Sequence, residues 1–144
     1  MALEVLVNLA LVRHEQGDTG RAGALFSESL ALSRAGGLAL YFVLQALEGA
    51  AGVAGAQGQP ERAARLFGAT DALRAAVGVP VRPVDRRLYD RDVTAVRAAL
   101  GAETFAAAWA AGRALSLEQA IAEATDCLLC GCLSSTSALH CSHR

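Results

Sequence analysis

A chain of 144 residues with a formal net charge of −1 has room for one domain with a core of its own, and it offers no basic stripe for nucleic-acid phosphates or anionic lipid. Hydrophobic residues make up 53% and aromatics only 5%, so Ala, Leu, Val and Gly supply most of the apolar surface and imply closely packed helices. The β-branched and aromatic runs that mark strands are nearly absent while strong helix formers abound, which sets all-α as the expected class.

The first expected element is a helix over the opening residues, where Met1–Ala10 carries Glu4 and lacks the basic start and cleavage site of a signal peptide; the expected location is the cytoplasm. The helix ends at Gly17, a residue that tolerates the left-handed backbone of a helix terminus, and Asp18 or Thr19 is placed to cap the next one. A loop is expected around Ser33–Gly37. The following stretch, 35–59, has Glu48 as its single formal charge, yet Gln45, Gln57 and its many Ala and Gly residues suit a buried helix better than a membrane span. Gly58 then repeats the turn, and Pro60 stands where a first-turn proline loses no hydrogen bond.

These two stretches are copies of one unit. Shifting the chain by 41 positions superposes Leu6 on Leu47, Ala10 on Ala51, Gln16 on Gln57, Gly17 on Gly58, Arg21 on Arg62, Ala22 on Ala63, Leu25 on Leu66 and Phe26 on Phe67. Self-similarity at a fixed period signals stacked supersecondary units, and the three- and four-residue apolar steps on either side of each glycine make the unit an antiparallel helix hairpin. Gly17, Ala22 and Phe26, repeated as Gly58, Ala63 and Phe67, resemble the glycine, alanine and aromatic positions of the tetratricopeptide repeat. The resemblance implies an alanine where two helices cross closely and a phenylalanine plugging the gap to the next hairpin. The period departs from the family's 34 residues, and Leu6 and Leu47 replace its early bulky aromatic.

After a loop over Val77–Pro83, Asp85 is placed to cap a helix with Tyr89, Val93, Val96 and Leu100 on one face, opposite Arg87, Asp90 and Arg91. Gly101 ends it. A shorter helix with Phe105, Ala108 and Trp109 inward stops at Gly112, and Ser116 with Gln119 forms a capping box for a last helix through Leu117, Ile121 and Ala124. The expected architecture is an all-α solenoid of two hairpins over 1–78 and a capping pair over 79–125, the cap closing the apolar face an internal repeat leaves open. From Gly58–Ala69 through Arg87–Tyr89 to Trp109–Ala120 the chain resembles the helical tail of bacterial LuxR-type and STAND ATPase transcriptional regulators. That likeness implies a helical-repeat sensor or interaction module, serving a protein partner or an adjoining domain of a parent regulator. Neither a G-x-x-x-x-G-K-S/T phosphate loop nor a helix-turn-helix pattern occurs, so ATP or DNA chemistry would belong elsewhere.

No nucleophile, base and orienter set stands out, and the expectation is a protein that is not an enzyme and needs no cofactor. His14-Glu15-Gln16-Gly17-Asp18 misses the zinc-protease H-E-x-x-H at its second histidine and reads as a solvated helix end. The grooved face of such an array is built from the first helix of each hairpin, which makes Glu4, Val7, Leu11, His14, Gln45, Glu48 and Gly52 the candidate partner contacts. Self-association into a dimer is the alternative, because two repeats are few for a free-standing solenoid. The segment 126–144 shifts to Ser, Cys, Leu and His and is expected to be a disordered tail; Cys127, Cys130, Cys132, His140, Cys141 and His143 are the residues that would hold zinc if it were a metal site.

Overall fold

A computed structural model describes residues 2–34 and 40–134, with side chains for 3–33 and 40–129. Among the described residues every regular element is a helix: α1 (Ala2–Glu15), α2 (Thr19–Arg34), α3 (Leu40–Ala56), α4 (Pro60–Val77), α5 (Pro83–Leu100), α6 (Ala102–Arg113) and α7 (Leu117–Ser134). The all-α helix-hairpin repeat expected from the sequence is what forms.

The two hairpins, α1–α2 and α3–α4, turn alike. Gly17 and Gly58 sit at φ of 84° and 82°, in the left-handed region that glycine enters without steric cost. The amide of Asp18 donates to the Arg13 carbonyl and that of Gln59 to the Ala54 carbonyl, each at 2.9 Å, so residues 41 apart make the same bond. Asp18 caps α2 through the Arg21 amide, and Pro60 is the first residue of α4. Ala22, Ala63, Phe26 and Phe67 are all buried.

The hydrophobic core runs through both hairpins and is thickest at α3, where every residue from Val43 to Ala54 is buried. This is why the segment carries only one formal charge, Glu48: it is surrounded by protein. No described helix is long and apolar enough to cross a membrane.

The remaining helices close the repeat from different sides. Helix α5 lies over α3 and α4 and sends Val96 into the core against Gly55. Helix α6 crosses α4 so closely that Gly68 meets the Trp109 carbonyl and Gly112 the Arg65 carbonyl; an added Cβ at either would collide with backbone. Gly112 is therefore a contact inside α6, not its stop, since α6 continues to Arg113. The capping box is formed, the Ser116 amide donating to Gln119 Oε1 at 2.9 Å and the Gln119 amide to Ser116 Oγ at 3.1 Å. Asp85 does not cap α5. The N-cap position is Arg82, Pro83 opens the helix, and Asp85 lies within the first turn, where it reaches across to α3.

Helix α7 packs along α2, α3 and α4 and runs through position 126 to Ser134, so the boundary expected at 125 falls inside a helix. Cys127 and Leu128 are buried in the core, and Arg62 bonds Asp126 at 2.7 Å. Burial pushes the Cys127 thiol up to about 12, against the lowering pull of Arg62. The thiolate is the reactive form, so Cys127 should resist thiol reagents at pH 8. A chain carrying Cys130→Ser, Cys132→Ser and Cys141→Ser, which leaves one thiol, should react negligibly with a chromogenic disulfide when native and with one equivalent in guanidinium. Fast native labelling contradicts the burial of this end of α7.

Candidate functional site

The residues expected on an open groove are mostly covered. Glu4 is exposed and Leu11 half-buried, but Val7, His14, Gln45, Glu48 and Gly52 are buried. What covers much of this face is α5, lying across the first helices of the hairpins, where it meets α3 directly and reaches α1 through side chains.

Four attachments hold it there. His14 Nε2 lies 2.7 Å from Asp92 Oδ2, and the pair meets directly over Gly52, where a Cβ would strike both side chains. His14 is thus part of a buried cross-helix contact and not a solvated helix end. Arg87 pairs with Glu15 at the surface. The Tyr41 hydroxyl donates to Asp85 and accepts from Arg82 Nε, whose guanidinium also stacks 4.3 Å above the Tyr41 ring. Tyr89 meets Phe67 edge-on at 5.4 Å. Burial raises the Tyr89 hydroxyl far above its ordinary value, with the Glu48 carboxylate adding to the effect, so it stays neutral.

Beneath this roof Arg74 and Glu48 form a two-pronged ion pair at 2.7 and 2.8 Å. Arg74 also donates to the carbonyls of Val79 and Pro80, at 3.0 and 3.2 Å, and so fastens the segment that leads into α5. Burial works against the Arg74 charge, but the bonds and charge of Glu48 outweigh it and hold the guanidinium above its ordinary value. For Glu48, desolvation raises the carboxyl while Arg74 pulls it down.

Because α5 reaches α1 mainly through side chains, a cavity of about 120 Å³ remains between α1, α3, α4 and α5. Its walls are Leu11, Val12, Phe67, Val81, Val84 and Leu88, with Gln45, Glu48, Asp85 and Asp92 among its polar residues. Gln45 is buried, and neither its Oε1 nor its Nε2 has a hydrogen-bond partner.

This arrangement fastens α5 to the two hairpins. No described hydroxyl or thiol bonds to His14, and the hydroxyls of Ser29, Ser33, Thr70 and Thr125 are all donated to carbonyls of their own helices. Of the six candidate zinc ligands, Cys127 is in the core, while His140, Cys141 and His143 lie outside the described residues, as do the side chains of Cys130 and Cys132. Sequence reasoning named one partner of each main ion pair and missed the other. Asp92 had a signal: it lies three residues after Tyr89 and four before Val96, on the apolar stripe of α5. Arg74 had none, because its partner is 26 residues away on another helix.

The chain is similar to proteins named as HTH-type transcriptional regulators from Mycobacterium bovis and from two strains of Mycobacterium tuberculosis, being 43% identical over 83 residues in each case. The match covers 55% of this chain and 9% of each relative, so the chain spans only a small part of the length of the proteins it resembles. No family model matches the chain, and no solved structure matches it.

Proposed function

We propose that this chain is a non-catalytic helical-repeat module of a bacterial transcriptional regulator, of the tetratricopeptide-like kind found in LuxR-type and STAND ATPase regulators, and that it works by contact with an adjoining domain. The observation that carries this reading is the 43% identity to regulators over 83 residues, in a chain whose own fold is a helix-hairpin repeat. The surface suited to the contact is not the groove, which α5 covers. It is the outer side of α1, where Val5, Leu9 and Val12 are exposed at helical spacing and would meet a neighbouring repeat.

Exchanging the matching segment of a mycobacterial relative for the one from this chain tests the reading. The chimera should keep the relative's transcriptional response, a deletion of the segment should lose it, and Leu9→Glu within the chimera should behave like the deletion. A deletion that regulates as the intact protein does would remove the proposal.

A further inference from the structure

We propose that the exposed face of α1 seats a helix hairpin of the same repeat, and that this hairpin differs from the two present here at one position: where they carry Phe26 and Phe67, it carries a shorter side chain. This rests on the regulator reading above and deepens it, by naming what the partner of the α1 surface must look like.

The chain itself shows what covers such a face. Under the 41-residue shift Val5, Asn8, Leu9 and Val12 of α1 fall on Ala46, Gly49, Ala50 and Val53 of α3. The four on α1 are exposed, and their four counterparts on α3 are buried. Both stretches are helical and lead into turns closed by the same bond, so the difference lies in the neighbours. Helix α3 has a hairpin in front of it: α2 packs on it, with Phe26 against Gly49 and Gly23 opposite Val53. Among the described residues α1 has none, and its apolar stripe meets water. A stacking face with no unit on it is the open end of a repeat array. The matched segment is only 9% of each mycobacterial relative, which leaves a parent chain ample length to supply the missing hairpin.

The seat on α1 is not an identical copy, and the differences define its occupant. Gly49 is what makes room for Phe26, since a Cβ there would collide with the ring. On α1 that place is held by Asn8, whose side chain takes the space the end of the ring would need. Val5 and Leu9 are likewise larger than Ala46 and Ala50, while Val12 repeats Val53. A hairpin carrying phenylalanine at the plug position would be overpacked and held off. A short side chain fits. Serine suits best as a probe, because stacking takes the Asn8 amide out of water and a hydroxyl opposite can bond it. A second copy of this chain does not meet the requirement through its α2, whose Phe26 is already seated on its own Gly49.

The test is the full chain preceded by a copy of its own residues 1–41, which puts α1 in the place that α3 holds now. Four versions are compared by thermal melting: Phe26 or Phe26→Ser in the added copy, each with Asn8 or Asn8→Gly in the original α1. With Phe26→Ser in the copy and Asn8 intact, the extended chain should melt in one transition at least about 5 °C above the unextended chain. With Phe26 kept in the copy there should be no gain, and the added hairpin should be cut by protease at temperatures where the rest is intact. Asn8→Gly should reverse the second result, restoring the gain to the Phe26 version relative to the unextended Asn8→Gly chain. That reference is needed because glycine in an exposed helix is destabilising by itself. Leu9→Glu, at an exposed position, should leave the unextended chain's melting temperature nearly unchanged yet abolish the gain in the Phe26→Ser version. Equal gains with Phe26 and Phe26→Ser overturn the plug assignment, and no gain in any version overturns the seat. A wild-type chain that is dimeric by light scattering and monomeric as Leu9→Glu would give the face to a second copy and overturn the proposal as well. The regulator reading is judged by the chimera's transcriptional response, so the two can fail separately.

Discussion

Replacing Arg74 with methionine should cost about 3–5 kcal/mol of folding stability, the range found when one member of a buried ion pair is removed. The cost comes mainly from what is left behind. Glu48 would stay buried with both hydrogen bonds from its guanidinium partner gone, and the carbonyls of Val79 and Pro80 would lose the donor that ties the entry of α5 to α4. Removing the second charge as well, as Arg74→Met with Glu48→Leu, should recover much of the loss, since a well-packed apolar pair can match a buried ion pair. The carbonyl contacts stay lost in both, so α5 should remain easier to cut with protease than in the wild type. Urea midpoints of the two variants and the double mutant check the cycle; a double mutant no better than Arg74→Met alone contradicts it.

The same variant carries a pH signature. Desolvation already raises the Glu48 carboxyl above its ordinary 4.5, and without Arg74 its chief opposing influence is gone. A group whose folded value exceeds its unfolded one contributes its full stability below the unfolded value and loses it as pH rises through the folded one. Arg74→Met should therefore lie closest to wild type near about pH 4 and fall progressively behind as pH climbs toward 8. A deficit that is flat across this range means that Glu48 has found water or another donor.

The hairpins were legible because their information is local and repeated. Gly17 and Gly58 fix turns whose consequences are felt within five residues, and a period of 41 says twice what one copy says weakly. The groove was misjudged for the opposite reason. Its cover, α5, belongs to no repeat, and the contacts that hold it over α1 and α3 join residues 41 to 78 apart, as in Arg82 on Tyr41 and Asp92 on His14. An amphipathic pattern shows that α5 has an apolar face, but not which surface receives it. The charged candidates His14 and Glu48 were read as solvent contacts because a lone sequence prices a charge as exposed; only tertiary partners make its burial tolerable. The end of α7 was hidden by composition: Cys and Leu after Asp126 looked foreign to the Ala-rich helices, although Cys127 behaves as a small hydrophobe and is fully buried.

Phenylalanine at 26 and at 67 should be worth the same, about 3–5 kcal/mol each on replacement by alanine, if the two copies are equivalent in more than sequence. At roughly 3 °C per kcal/mol for a chain of this size, each variant should melt about 10–15 °C below wild type. The holes they leave differ. Phe26 fills the space in front of Gly49, where an added Cβ would run into its ring, so Gly49→Ala should destabilise the wild type yet partly restore Phe26→Ala by filling the vacancy. Phe67 faces Tyr89 and lines the cavity, so its loss enlarges an existing space and loosens α5 at one of its fastenings. Phe67→Ala should therefore expose α5 to protease below its melting temperature, whereas Phe26→Ala should not. Equal melting losses with unequal protease sensitivity would separate what the repeat does for stability from what α5 does for the site; a Phe26 variant that melts like wild type would mean the two hairpins do not share one way of packing.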